Sequence, residues 1–125
     1  MLYDSVFDYV HIKYNCVTKK IYYEVHTPYS FYSERYNHWV TCHTGMYSDG
    51  ATCALDINSF AWLIHDRLCD TGRWDDGQPV TNWQASSVCA DVLSRDGFYV
   101  RAITWKYTTL ALGGGKARKN GMFML

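Results

Sequence analysis

From Val6 to about Cys53 the chain carries short runs of Val, Ile, Tyr, His and Thr broken by polar residues, with no apolar spacing of three and four sustained enough to predict a helix. The run from Val6 to Cys16 alternates poorly. It is bounded by Thr18-Lys19-Lys20 and answered by Ile21 to His26, which predicts a hairpin. Pro28 ends the second strand, 29–37 reads as a polar and aromatic loop, and 38–43 reads as a third strand with its bulky residues on alternate sides. The first half is therefore expected to be a small antiparallel sheet.

After Asp56 the period changes. Phe60, Ala61, Ile64 and Leu68 recur at helical spacing, Asp56 or Asn58 is placed to cap, and Gly72 stands where a left-handed C-terminal residue belongs, so a helix is expected over 57–70. A turn-rich loop over 72–79 follows. Thr81 and Gln84 have the spacing of a capping box, and Ala85, Val88, Cys89, Val92 and Leu93 form an i, i+3, i+4, i+7, i+8 stripe that ends at Gly97. The spacing of Ala102, Trp105, Thr109 and Leu112 favours a third helix over 98–112, stopped by Gly113-Gly114-Gly115. The pattern predicts an α+β fold, a small N-terminal antiparallel sheet packed on two or three C-terminal helices. It places one domain at 1–112 and a Gly-rich basic arm with an apolar tip at 113–125, and it buries Ile64, Leu68, Val88, Val92 and Leu93.

Composition narrows the function classes. With 125 residues there is room for one ordinary domain, and 48% hydrophobic residues supply apolar area for a core. Twelve Lys or Arg balance twelve Asp or Glu, so generic nucleic-acid binding is not expected. The 11 Tyr and 5 Trp accordingly read as core and interface rather than as a base-stacking surface. The five cysteines form no Cys-x-x-Cys pair, and the first residues lack a basic region followed by an apolar run. Synthesis in a reducing cytoplasm, no disulfide framework and no transmembrane segment are the expectations.

Candidate chemistry gathers around the first two helices. His65 and Asp66 lie inside the first, Asp91 on the second, and Asp49 in the turn-prone stretch after the third strand. Asp91 is one step off the apolar stripe and aligned with Ser87, so helix phase aims it at the seam between the helices, within hydrogen-bonding or one-water reach of His65. A His held by a carboxylate is the beginning of a general base, and Asp49 with Asp66 could hold a divalent ion such as calcium. The structural alternative is a hydrogen-bonding staple between helices. Gly113-Gly114-Gly115-Lys116 lacks the first Gly of a phosphate loop and has Ala117 where Ser or Thr must meet the metal, so it reads as a linker. His11, His26, His38 and His43 show no ligand spacing of their own.

Three motifs in order carry a resemblance: Gly45-Met46-Tyr47-Ser48-Asp49-Gly50-Ala51-Thr52, then Ala61-Trp62-Leu63-Ile64-His65-Asp66-Arg67-Leu68, then Ala90-Asp91-Val92-Leu93 with Gly97. Over roughly 45–114 the chain resembles the phage and prophage family catalogued as domain of unknown function 1353. Thr52 replaces that family's Ser, its Pro soon after is missing, and Cys69 stands where Tyr is common. The resemblance implies an α+β fold and a phage-related origin. The helix pair also resembles secreted phospholipases, which implies for His65 the activation of water, for Asp66 calcium and for Asp91 the orientation of His65. The glycine-rich calcium loop of those enzymes has no counterpart here.

Charge is uneven along the chain. Residues 1–96 hold 7 Lys or Arg against 12 Asp or Glu, whereas 97–125 hold five bases and no acid. Lys116, Arg118 and Lys119 precede Met122-Phe123-Met124-Leu125, which reads as an arm whose bases meet an acidic surface and whose tip plugs a neighbour's groove. The expected function is a phage-encoded virion or tail and assembly component. Its expected partners are other phage structural proteins or copies of itself; it is made in the host cytoplasm and carried into the virion, with no cofactor. The alternative is a small metal-assisted hydrolase built on His65, Asp66 and Asp91, for which a calcium-like cation would be needed.

Overall fold

The computed structural model describes residues 5–48, 58–98 and 102–104. Ser5 caps a short 3-10 turn, Val6–Asp8, by accepting the Phe7 N–H, and the turn buries Val6 completely. The side chain of Asn58 accepts from the Val6 N–H and from the Ser5 hydroxyl, which ties this turn to the chain just before the first α-helix.

Five strands follow, β1 (Val10–Asn15), β2 (Lys20–Val25), β3 (Tyr29–Ser33), β4 (His38–Cys42) and β5 (Tyr47–Ser48). They form two antiparallel sheets among the described residues, one ordered β1-β2-β5 and the other β3-β4. Both hairpins use the same four-residue turn. In the first, Asn15 Oδ1 accepts from the Val17 and Thr18 N–H groups and Lys19 takes φ +58°; in the second, Ser33 Oγ accepts from the Tyr36 N–H and Asn37 takes φ +57°. The backbone bond that closes each loop, from the fifth residue to the first, is 2.7 Å long.

The expected loop over 29–37 is thus half strand. In Tyr29–Ser33 the residues facing inward are Tyr29, Phe31 and Ser33, and the exposed ones are Ser30 and Tyr32, a period of two that mixed aromatic and hydroxyl residues obscure in sequence. Only 34–37 form the turn, and β3 pairs with β4 from Tyr29↔Cys42 to Ser33↔His38.

Helix α1 spans Ala61–Thr71 and α2 spans Asn82–Arg95, and residues 102–104 are helical. The start of α1 is not capped by Asn58. Ser59 Oγ accepts the Ala61 N–H, while the carboxylate of Asp96, at the end of α2, accepts from the Ser59 hydroxyl and the Phe60 N–H. The end of α2 therefore helps to cap the start of α1. Gly72 ends α1 at φ +66°, with its N–H on the Leu68 carbonyl, and Thr81 with Gln84 closes the capping box at the start of α2.

The core lies where α1 and α2 pack together against the inner faces of the sheets. Ile64, Leu68, Val88, Val92 and Leu93 are all fully buried, with Trp62, Val25, Val40 and Cys42 beside them. Arg67 fixes the edge of this core: its guanidinium donates to the Thr41 carbonyl, the Thr71 hydroxyl, the Arg73 carbonyl and the Asp75 carboxylate. The fold is α+β, with its antiparallel sheets in the N-terminal half and its helices in the C-terminal half. Among the described residues no helix is long and apolar enough to cross a membrane. Asp49, most of the expected third helix, and the arm residues Lys116, Arg118, Lys119, Met122, Phe123, Met124 and Leu125 lie outside the described residues.

Candidate functional site

Helix α1 is buried almost all round, and this decides the state of His65. Its ring is fully enclosed, and its hydrogen-bond partner is the Cys69 sulfur one turn later, 3.5 Å from Nδ1. Burial alone pushes its pKa down from 6.5 to about 4, so the imidazole is neutral at ordinary pH. A neutral ring retains a lone pair that can accept a proton. Here that lone pair faces protein rather than solvent.

Asp66, the next residue, points to the neighbouring side of α1. It accepts a hydrogen bond from the Ser48 hydroxyl, and Ser48 is the buried last residue of β5. This contact brings the residue preceding Asp49 onto Asp66, while Asp49 itself is outside the described residues. Among those described, no group of three or more His, Cys, Asp or Glu assembles that could hold a metal ion.

Asp91 is engaged elsewhere. Arg35, in the turn between β3 and β4, donates Nε–H and Nη2–H to the two carboxylate oxygens at 2.9 and 2.8 Å, a bidentate fork that raises the guanidinium pKa. The expected hydrogen bond between His65 and Asp91 is not made. The physical reason is lateral placement: one position off the apolar stripe carries Asp91 to the rim of the helix seam, where a long cation from a remote turn reaches it, whereas His65 lies beneath the surface.

Sequence reasoning aligned Asp91 with Ser87 correctly, since both line one cleft on the outer side of α2 together with Ser94. It missed Arg35. Nothing in the local pattern marks that residue, because its importance arises from a contact 56 residues away.

A second region escaped the sequence reading. Along one face of the β1-β2 hairpin, Val10, Ile12 and Tyr14 stand beside Val25, Tyr23 and Ile21 in register. The inner members, Val10, Tyr23 and Val25, are 5%, 7% and 1% exposed, but Ile12, Tyr14 and Ile21 are 65%, 59% and 52% exposed, and Val17 at the turn is 91% exposed. The apolar face that forms part of the core runs on past it into solvent. The opposite face is polar, with Lys13 paired to Glu24 and the His11 and His26 rings 4.3 Å apart. The signal for this was available in the sequence as the alternation of Val10, Ile12 and Tyr14 with His11, Lys13 and Asn15, which carries one apolar face along the whole strand.

No protein-family model matches the chain, and neither a curated protein nor a solved structure does.

Proposed function

We propose that this protein is an assembly component that acts through protein–protein contacts, with a second copy of the chain engaged by the β1-β2 hairpin. The observation that carries the reading is the apolar hairpin face that continues beyond the core at Ile12, Tyr14, Val17 and Ile21. Burying each of these side chains on a partner is worth about 1.5–3 kcal/mol, enough in sum to offset part of the cost of association. Among the described residues β1 is also an outer strand of its sheet, an edge suited to main-chain pairing.

The phage-family resemblance supports a virion or tail-assembly setting, entered after synthesis in the host cytoplasm. The basic arm, Lys116, Arg118 and Lys119 with the tip Met122-Phe123-Met124-Leu125, supplies a second contact in the same reading, its charge suited to the net-negative 1–96 body of a neighbouring copy or to another phage structural protein. Hydrolysis through His65, Asp66 and Asp91 has less support, because the imidazole is enclosed and the carboxylate that would orient it is held by Arg35.

Sedimentation of the full chain over a range of concentrations tests the proposal. Reversible self-association is expected, abolished in the double variant Ile12→Asp, Tyr14→Asp while the thermal unfolding transition is retained. A monomer at every concentration, or association that survives both substitutions, would contradict it.

A further inference from the structure

His11 and His26 show no ligand spacing along the sequence, yet the hairpin register brings them together. His11 lies in β1 opposite Glu24, and His26, the first residue after β2, donates its backbone N–H to the Tyr9 carbonyl. Both side chains are exposed, and their ring centres are 4.3 Å apart. Backbone hydrogen bonds already hold both residues, so little ordering of the chain remains to be done when the two rings meet one ligand.

The pair is not a flat aromatic stack. Tyr29 and Phe60 make such a stack in this protein, with centres 3.7 Å apart and planes within 8°, whereas the two imidazoles are inclined at 37°. A metal ion about 2.0 Å from an imidazole nitrogen lies about 3.2 Å from the ring centre, so centres 4.3 Å apart subtend about 85° at a shared ion. Tetrahedral ligation, as by zinc, would place the ring centres about 5.2 Å apart. The separation is that of neighbouring positions in square-planar or tetragonal coordination, the geometry of Cu²⁺ and Ni²⁺.

The surroundings leave nitrogens available to ligate. Thr27 Oγ1 is 2.7 Å from His26 Nδ1; with Nδ1–H donated to that hydroxyl, Nε2 carries the lone pair and the ring is oriented. Among the described residues neither ring nitrogen of His11 has a hydrogen-bond partner. Glu24 is engaged by Lys13, whose ammonium donates to the two carboxylate oxygens at 3.3 and 2.9 Å. The chain thus supplies two ligands, and water supplies the rest.

We infer that the polar face of the β1-β2 hairpin binds one divalent transition-metal ion, Cu²⁺ or Ni²⁺, on neighbouring ligands from His11 and His26. The site lies across the sheet from Ile12, Tyr14 and Ile21 and does not depend on self-association.

Titration of the full chain with Cu²⁺, read by continuous-wave and pulsed electron paramagnetic resonance, tests the assignment. One ion per chain is expected, with two equatorial imidazole nitrogens in its spectrum. His11→Ala and His26→Ala should each bind at least about a hundredfold more weakly and show a single imidazole, because a second ligand held in place acts at a high effective concentration. Both substitutions fall on exposed side chains, so the circular dichroism of the folded chain should be retained. His43→Ala changes an exposed histidine outside the pair and should match the wild type, as should the double variant Ile12→Asp, Tyr14→Asp. The inference is overturned if the wild-type ion carries fewer than two imidazoles, if either His11→Ala or His26→Ala keeps the two-imidazole spectrum, or if His43→Ala removes it.

Discussion

His65 shows how far a single residue's chemistry depends on its surroundings. Its folded pKa of about 4 lies below the ordinary 6.5 because burial disfavours the charged ring. The unfolded chain therefore binds more protons between those values, so stability contributed by the neutral ring is present above pH 6.5 and is lost as pH falls towards 4. Chemical denaturation of wild type and His65→Gln should show the wild type losing up to about 3 kcal/mol relative to the variant over that interval. A constant difference between the two would mean that the ring is reached by solvent. Cysteine reactivity gives a second check on burial. Cys42, Cys69 and Cys89 are buried, and the Cys42 thiol is pushed up to about 12 by desolvation, whereas Cys16 is exposed at the hairpin turn. Of these four, only Cys16 should be alkylated in the native protein, the others reacting after unfolding.

At the scale of elements, legibility followed how local the determining interactions are. The capping box at Thr81 and Gln84, the left-handed Gly72 and the apolar stripe of α2 all depend on residues within two turns, and each was readable. Thr81→Ala should cost about 1 kcal/mol in thermal or denaturant unfolding, because the Gln84 N–H loses its acceptor. The start of α1 was misread because its cap is tertiary: Asp96 arrives from the far end of α2. Strand β3 was missed for a different reason. Tyr, Ser and Phe alternate there without a clear hydrophobic contrast, so the strand is defined by its pairing with β4 rather than by its own composition. The candidate site divides along the same line. The alignment of Asp91 with Ser87 is a property of one helix, while the capture of Asp91 by Arg35 and the enclosure of His65 are properties of the whole fold.

At the scale of the molecule, the apolar hairpin tip exceeds what a small core requires, and in the proposed reading the bases that follow Gly115 in the sequence supply a second contact. If the proposed reading of 113–125 as a linker and arm holds, removal of 116–125 should leave the thermal transition of the domain in place and weaken assembly in a salt-sensitive way, because a Gly-Gly-Gly sequence favours a flexible link. The hairpin makes the stronger claim, since its exposed residues continue a face that is already part of the core. Backbone hydrogen exchange of the full chain, compared between dilute and concentrated solution, tests that claim most directly. The account predicts slower exchange at Ile12, Lys13, Tyr14 and Ile21 as concentration rises, with α2 unchanged; equal exchange along the hairpin at both concentrations would contradict it.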